Sequence, residues 1–250
     1  MTRVLAAAYG ILAYIVFLAT FLYAIGFVGN IAVAKTIDTG APGPFGQALL
    51  INLLLLALFA IQHTIMARPG FKAWWTKMVP RPIERSTFVL IASLILVLLF
   101  WQWRPMPDVV WEVQNTAGVL ILQVLFWLGW ALVLASTFIV DHFDLFGLRQ
   151  VALYLKGEAY THPTFKVTAF YRFVRHPIML GFIIAFWATP RMTVGHLVFA
   201  IMTTLYIWVG IQFEERDLAR FHGEAFAEYQ RTVPALVPYW SRSLKKKRPA

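Results

Sequence analysis

Residues 175–215 read RHPIMLGFIIAFWATPRMTVGHLVFAIMTTLYIWVGIQFEE, and the threading of this stretch decides the fold. It opens on Arg175 and His176, turns apolar at Pro177, breaks at Thr189-Pro190-Arg191, and runs apolar again to the carboxylate pair Glu214-Glu215. Proline is well tolerated at a first helical position, because its missing N–H has no intrahelical partner there. A Thr-Pro-Arg step between two apolar runs is a turn signal. The stretch therefore reads as a helical hairpin, a short arm over about 177–190 and a full-length arm over about 193–213, with ionisable groups at its open end.

Working outward, four more stretches are long and apolar, at about 4–28, 46–66, 86–103 and 117–140, each near the roughly 20 residues that cross the hydrocarbon. Of the 250 residues 60% are hydrophobic and 14% charged, and the mean hydropathy is +0.67, which is too apolar for a soluble chain of this length. The expected class is an all-α, polytopic integral membrane helix bundle of about six spans, the fifth short. The first span is too long for the apolar core of a signal peptide and reads as a membrane helix. There is no cysteine, which excludes disulfides, thiolate metal sites, a cysteine nucleophile and lipidation through sulfur.

The net charge of +10 is explained by where the basic residues sit. The loop at 67–85 carries Arg68, Lys72, Lys77, Arg81 and Arg85 against Glu84. The loop at 141–176 carries Arg149, Lys156, Lys166, Arg172 and Arg175, and eight basic residues follow position 213, ending in Lys245-Lys246-Lys247-Arg248. The loops at 29–45 and 104–116 are poor in them. This alternation puts both termini in the cytosol under the positive-inside rule, and an even number of crossings follows. The basic tail is a topology signal and an anionic-lipid anchor; the expected partner is membrane lipid, and no nucleic acid is expected.

With that topology, the unusual polar residues gather on one side. Gln62-His63 ends the second span, DHFDLFGLRQ (141–150) leaves the fourth, Arg175-His176-Pro177 opens the fifth and FEERDL (213–218) leaves the last. Ionisable groups at membrane depth are costly, so their recurrence at one end of a bundle points to a shared polar cavity. Each also has a plainer reading: His63 as an interfacial histidine, and Asp141, His142 and Asp144 as a solvated helix end. Glu214 and Glu215 resist that reading, because carboxylates at a helix C-terminus oppose its macrodipole. His162 and His222 read as loop residues. No HExxH or comparable ligand spacing supports a metal, no glycine pattern supports a soluble nucleotide fold, and His63 and His196 fall near opposite faces, which speaks against haem.

Arg175-His176-Pro177-Ile178-Met179-Leu180-Gly181, the hairpin of about 30 residues, Glu214-Glu215, Phe226, Tyr229, Pro234 and Pro238 together resemble the C-terminal signature of the isoprenylcysteine carboxyl methyltransferase superfamily. In that superfamily an RHPxYxG motif and a glutamate pair build a membrane-embedded pocket for S-adenosyl-L-methionine; here Met179 stands where tyrosine is usual. The segments QHTIMARPGFKAWW, ERSTFVLIASLILVLLFWQWRP and DHFDLFGLRQV are similar to the methanethiol S-methyltransferases, a bacterial branch that makes dimethyl sulfide. Denitrification-associated membrane proteins are close neighbours of that branch. The resemblance implies an enzyme of the bacterial inner membrane, with helices in 1–140 and a cytosol-facing methyltransferase core in 141–250. It also implies a cofactor site of Arg175, His176, Pro177, Gly181, Glu214, Glu215 and Tyr229. The alternatives are an isoprenylcysteine or lipid methyltransferase, or a non-catalytic protein that keeps the pocket.

Several roles follow from the chemistry of the groups. A guanidinium fork suits a cofactor carboxylate, with His176 beside it, and carboxylates suit ribose hydroxyls or an amino group. Tyr229 and the segment to Pro238 read either as a lid or as a membrane-surface segment. A simple alkanethiol is no more acidic than cysteine, so a positioned base or cation helps it ionise. His142, Asp144, Arg149 and Tyr154 are the candidates, with His63 a further one, and the residues do not single out one base.

Overall fold

The computed structural model describes residues 1–161 and 167–237. His162, Lys166, Pro238, Arg242 and the Lys245–Arg248 run lie outside the described residues.

The chain folds as a helix bundle. Helix α1 spans Arg3–Gly29, capped by the Thr2 hydroxyl, which accepts from Leu5 N–H. It is followed by α2 (Phe45–Ala67), the short α3 (Pro69–Trp75) and α4 (Arg81–Gln102). A strand β1 (Val109–Glu112) precedes α5 (Thr116–Val140), which starts at an Asn115 cap. Short helices α6 (His142–Leu145) and α7 (Leu148–Lys156) lead to a 3-10 turn over Ala169–Arg172. Then come α8 (Pro177–Trp187), β2 (Arg191–Thr193), α9 (Val194–His222) and α10 (Glu224–Thr232).

Five helices, α1, α2, α4, α5 and α9, are long and apolar enough to cross a membrane. Large apolar side chains such as Leu54, Leu120, Leu128, Leu205 and Trp208 stand exposed on the bundle's outside, as hydrocarbon contact requires. Helix α8 is the expected short arm. Its 11 residues reach only about 16 Å, and a turn at 188–190, where Thr189 N–H donates to Trp187 O at 3.0 Å, leads on from its end. That turn leads into β2, which pairs antiparallel with β1, an element hydropathy did not reveal.

Contacts at the helix ends sort the loops into two sets. At the basic end Arg68 donates to Asp217 at 2.7 Å, and Arg85 Nε donates to the Leu145 carbonyl at 2.7 Å. At the opposite end Trp103 Nε1 donates to Ile37 O, Asn52 brackets Arg104, and Thr193 donates to Asp38 at 2.6 Å. Helix direction alternates between these ends through α1, α2, α4, α5, α8 and α9, so the described chain traverses the bundle an even number of times. His196, at the opposite end from His63, donates from Nε2 to Phe186 O at 2.8 Å.

The core is aromatic: Phe27, Phe100, Trp103, Phe126, Trp130, Phe186 and Phe199 interlock near the opposite end and mid-bundle. Helix α8 meets α5 backbone to backbone, at Gly129 and Gly181. A Cβ on Gly181 would stand 2.7 Å from Gly129 O and 2.8 Å from Val133, and one on Gly129 would stand 2.7 Å from Gly181 O. Gly181 thus serves helix packing, and this close approach seats the short α8 so that its first turn faces α9.

Candidate active site

Two polar assemblies occupy the basic end. The first is built on the start of α8. The residue before a proline is driven to extended backbone, so Arg175 and His176 leave the helix with free N–H groups. These donate to Pro234 O at 2.8 Å and Ala235 O at 3.1 Å. The chain after α10 therefore folds back on the Arg-His-Pro turn, held also by buried Phe226 and by Tyr229, whose hydroxyl donates to Tyr171 O at 2.6 Å.

Side chains complete this clamp. Glu215 Oε1 accepts from Arg175 Nε at 2.7 Å and bonds His176 Nε2 at 2.9 Å, while its Oε2 accepts from Gln230 at 2.8 Å. Arg175 Nη1 donates to Gln230 O and Val233 O. The fork that suits a ligand carboxylate is thus engaged at Nε and Nη1 inside the protein, and among the described residues only Nη2 is left open. Glu214 is different. Its side chain is 45% exposed, and its Oε2 lies 3.6 Å from His176 Nδ1. It is the carboxylate of the pair that keeps open acceptor sites. Burial, then the Glu214 charge, pushes the nearby Tyr171 hydroxyl well above its ordinary range, so Tyr171 stays protonated and is a hydrogen-bond donor.

The second assembly is a cleft of about 810 Å³ between α3, α4, α6 and α7, lined by Lys72, Arg81, Glu84, Arg85, Asp141, Asp144, Gln150, Tyr154, Glu158 and Tyr160 among others. Asp144 is its hub. It accepts from Arg149 at 3.0 Å and from the Tyr160 hydroxyl at 3.2 Å, and Arg149 also donates to Thr161 O at 2.8 Å. Burial and then Asp144 push Tyr160 up to about 12. Burial, followed by the Arg85 charge, holds Lys72 below the usual amine range. Tyr154 lines the same cleft and donates to Met1 O at 3.4 Å. Arg175, His176, Glu214 and Glu215 do not line it, so the single shared cavity expected from the sequence resolves into two neighbouring assemblies. Arg68, bonded to Asp217 of α9 and close in sequence to Lys72, stands between them.

His142 lies in neither. It is 4% exposed, stacked on Phe138 at 4.2 Å, with Nε2 2.8 Å from the Tyr14 hydroxyl and Nδ1 2.8 Å from Thr137 Oγ1. Thr137 gives its single hydrogen to Leu134 O at 2.7 Å, so it accepts from His142 Nδ1–H, and Tyr14 then donates to Nε2. Burial lowers the pKa of His142, consistent with this neutral tautomer. His63, half-buried in α2, stacks on Phe59 at 5.2 Å and lies against Phe88 and Tyr206, and its Nδ1 has no partner.

Sequence reasoning missed Tyr14, Gln230 and Tyr206, and gave the ionisable hydroxyl of Tyr171 no role. Tyr171 was within reach, four residues before Arg175; Tyr14 meets His142 across 128 residues of sequence, with no local sign of it. Among the described residues no group of three or more His, Asp or Glu is arranged to hold a metal.

Residues 51–235 match the NnrU protein family. Over 239 residues the chain is 56% identical to the methanethiol S-methyltransferase of Mycobacterium tuberculosis, covering 96% of this chain and 98% of that protein. It is 51% identical over 239 residues to the methanethiol S-methyltransferase of Crocosphaera subtropica, covering 96% and 94%. It is 28% identical over 179 residues to Nurim of Mus musculus, 68% of each chain. No solved structure gives a significant match. The chain belongs to the NnrU family, in the group of proteins named methanethiol S-methyltransferases.

Proposed function

We propose that this protein transfers a methyl group from S-adenosyl-L-methionine to methanethiol, giving dimethyl sulfide. The observation that carries the reading is the open carboxylate of Glu214 beside the braced Arg175–Glu215–His176 clamp, in a chain about half identical to methanethiol S-methyltransferases along nearly all its length.

The donor set fits the cofactor. Glu214 accepts from hydroxyl or amino groups, while Arg175 Nη2 and the Tyr171 hydroxyl are donors for a carboxylate. Glu215 acts by holding Arg175 and His176 in place, and Pro177 and Gly181 by seating α8. Tyr229 and the folded-back 233–237 segment cover the site from the basic end. When bound, the cofactor supplies a methyl group made electrophilic by its sulfonium. The chain's own task is to align the acceptor, keep water out and remove the thiol proton. Asp144, which lines the charged cleft with Tyr154 and is bonded to Arg149, and His63, whose buried Nδ1 has no partner, are the candidate bases. His142 is fully engaged with Tyr14 and Thr137 and acts by holding the α5–α6 junction.

The reading places the protein in the bacterial cytoplasmic membrane with the basic end, and hence the site, in the cytosol; the distribution of Lys and Arg supports this. It takes 141–250 as the catalytic core, carried on the helices of 1–140. The test is an acceptor panel with purified protein: methanethiol should be methylated and a farnesylcysteine analogue should not. Ester formation on the analogue without volatile sulfide would sink the methanethiol reading. Absence of saturable cofactor binding by calorimetry would sink the enzyme reading altogether.

A further inference from the structure

Beside the contacts that α9 makes with α2, Gly210 faces open space. On α9, Tyr206, Gly210, Phe213 and Asp217 fall within an arc of about 60° at 100° per residue, so they share one face. Both ends of this stripe touch α2. Tyr206 packs edge-on against His63 at 6.5 Å and against Phe59 at 6.1 Å; Asp217 binds Arg68 at 2.7 Å, with the Arg68 guanidinium 5.5 Å from the Phe213 ring centre. Gly210, between these contacts, therefore also faces α2. Yet a Cβ built on it meets no atom within 4 Å. Close-packed helices do not leave such a space without cause.

The walls have a distinct chemistry. Phe59, Phe88 and Tyr206 surround the His63 ring, whose Nδ1 is buried without a partner, and the neighbouring Gln62 Oε1 is also buried and unpartnered. A buried ring nitrogen left unpaired costs free energy unless something else satisfies it. Glu214 is one turn along α9 from Gly210, about 6 Å along the axis and 40° around it, so the gap lies directly inward of the carboxylate assigned to the cofactor. The outward neighbours Leu205 and Val209 are exposed, toward the hydrocarbon into which a small neutral thiol partitions. The charged cleft of about 810 Å³ is many times larger than a thiol of two heavy atoms.

We propose that the gap opposite Gly210 is the slot for the methyl acceptor, a small apolar thiol, walled by Phe59, Phe88 and Tyr206, with His63 Nδ1 receiving the thiol proton. The inference rests on the methyltransferase reading above. The S–H proton passes to the imidazole and its electron pair stays on sulfur. That pair forms the new S–C bond as the methyl leaves the donor sulfur, which keeps the pair of the broken bond and becomes neutral; the imidazolium then returns its proton to water. Glycine at 210 keeps the slot open, and the aromatic walls set the size limit.

Because the chain has no cysteine, a single introduced thiol reports on the slot alone. In Gly210→Cys, methyl methanethiosulfonate should attach one methylthio group, detected by intact mass. Relative to the unmodified variant, whose own added side chain already narrows the slot, the modified protein should keep its S-adenosylmethionine affinity within about twofold while methanethiol turnover falls at least about tenfold further, and a reductant should return it to the unmodified variant's level. Phe59→Ala should raise kcat/KM for butanethiol relative to methanethiol by about tenfold or more, the scale set by a few methylenes in an apolar pocket. Failure to react, unchanged turnover after modification, or an unchanged thiol ratio in Phe59→Ala would overturn the slot. A wild-type protein that binds the donor but methylates no thiol overturns the parent reading, whereas an active wild type with an unresponsive Gly210→Cys overturns the slot alone.

Discussion

Glu214 and Glu215 are adjacent, yet the structure gives them opposite tasks, and substituting each by alanine should separate the two. Glu215 is 13% exposed and accepts from Arg175, His176 and Gln230, and Arg175 is itself 11% exposed. Removing one partner of a buried, hydrogen-bonded ion pair costs about 3–5 kcal/mol, because the other charge is left uncompensated. Slight solvent access at both groups, and the Glu214 carboxylate 3.6 Å from His176, place Glu215→Ala at the low end, about 3 kcal/mol. At about 2–4 °C per kcal/mol for a chain of this size, Tm should drop by about 6–12 °C. Glu214 is 45% exposed and holds His176 only loosely, so Glu214→Ala should cost less than about 1 kcal/mol, or under about 4 °C. Its loss should instead weaken cofactor binding at an unchanged fold. The assay is thermal unfolding in detergent micelles followed by tryptophan fluorescence, paired with calorimetric titration of S-adenosylmethionine. Equal Tm shifts for the two variants, or a Glu215→Ala protein as stable as wild type, would refute the division.

Other outcomes follow from particular contacts. The folded-state pKa of His142 is lowered by burial, so the unfolded chain takes up its proton first; stability is full above about pH 6.5 and declines as pH falls below it. Across pH 7.5 to 5.5, His142→Gln should therefore lose less Tm on acidification than wild type, and an equal loss would remove His142 as the cause. Gly181→Val should cost about 1–3 kcal/mol or more, since its Cβ would stand 2.7 Å from the Gly129 carbonyl; size-exclusion profiles in detergent should show loss of the monodisperse species. Reporter fusions after Ala34 and at the C-terminus should read opposite sides of the membrane, and a same-side result would contradict the even number of crossings.

The fold was legible wherever hydropathy alone decides it. Long apolar runs named five helices, and the Thr189-Pro190-Arg191 break named the short sixth arm, because solvation by lipid acts on each segment separately. The β1–β2 pairing was not legible: Val109–Glu112 and Arg191–Thr193 carry no joint signal, and their backbone groups pair only because the helix ends bring them together. At the site, polar residues standing out against apolar surroundings marked Arg175, His176, Glu214, Glu215 and Asp144. What each one does depended on partners far along the chain. Tyr14 closes the bonding of His142, Gln230 completes that of Glu215, and Gly181 turned out to answer Gly129. Gly210 was silent for a related reason, since an empty space on a helix face leaves no mark in a uniformly apolar run.

The central claim is that a methyl group moves from sulfonium to a small thiol at this membrane-embedded site. Purified protein in lipid nanodiscs, supplied with S-adenosylmethionine deuterated at its methyl and with unlabelled methanethiol, tests it directly by headspace mass spectrometry. The account predicts dimethyl sulfide carrying one labelled and one unlabelled methyl, formed with saturation in both substrates and lost in Glu214→Ala. Saturable cofactor binding with no labelled dimethyl sulfide would contradict it.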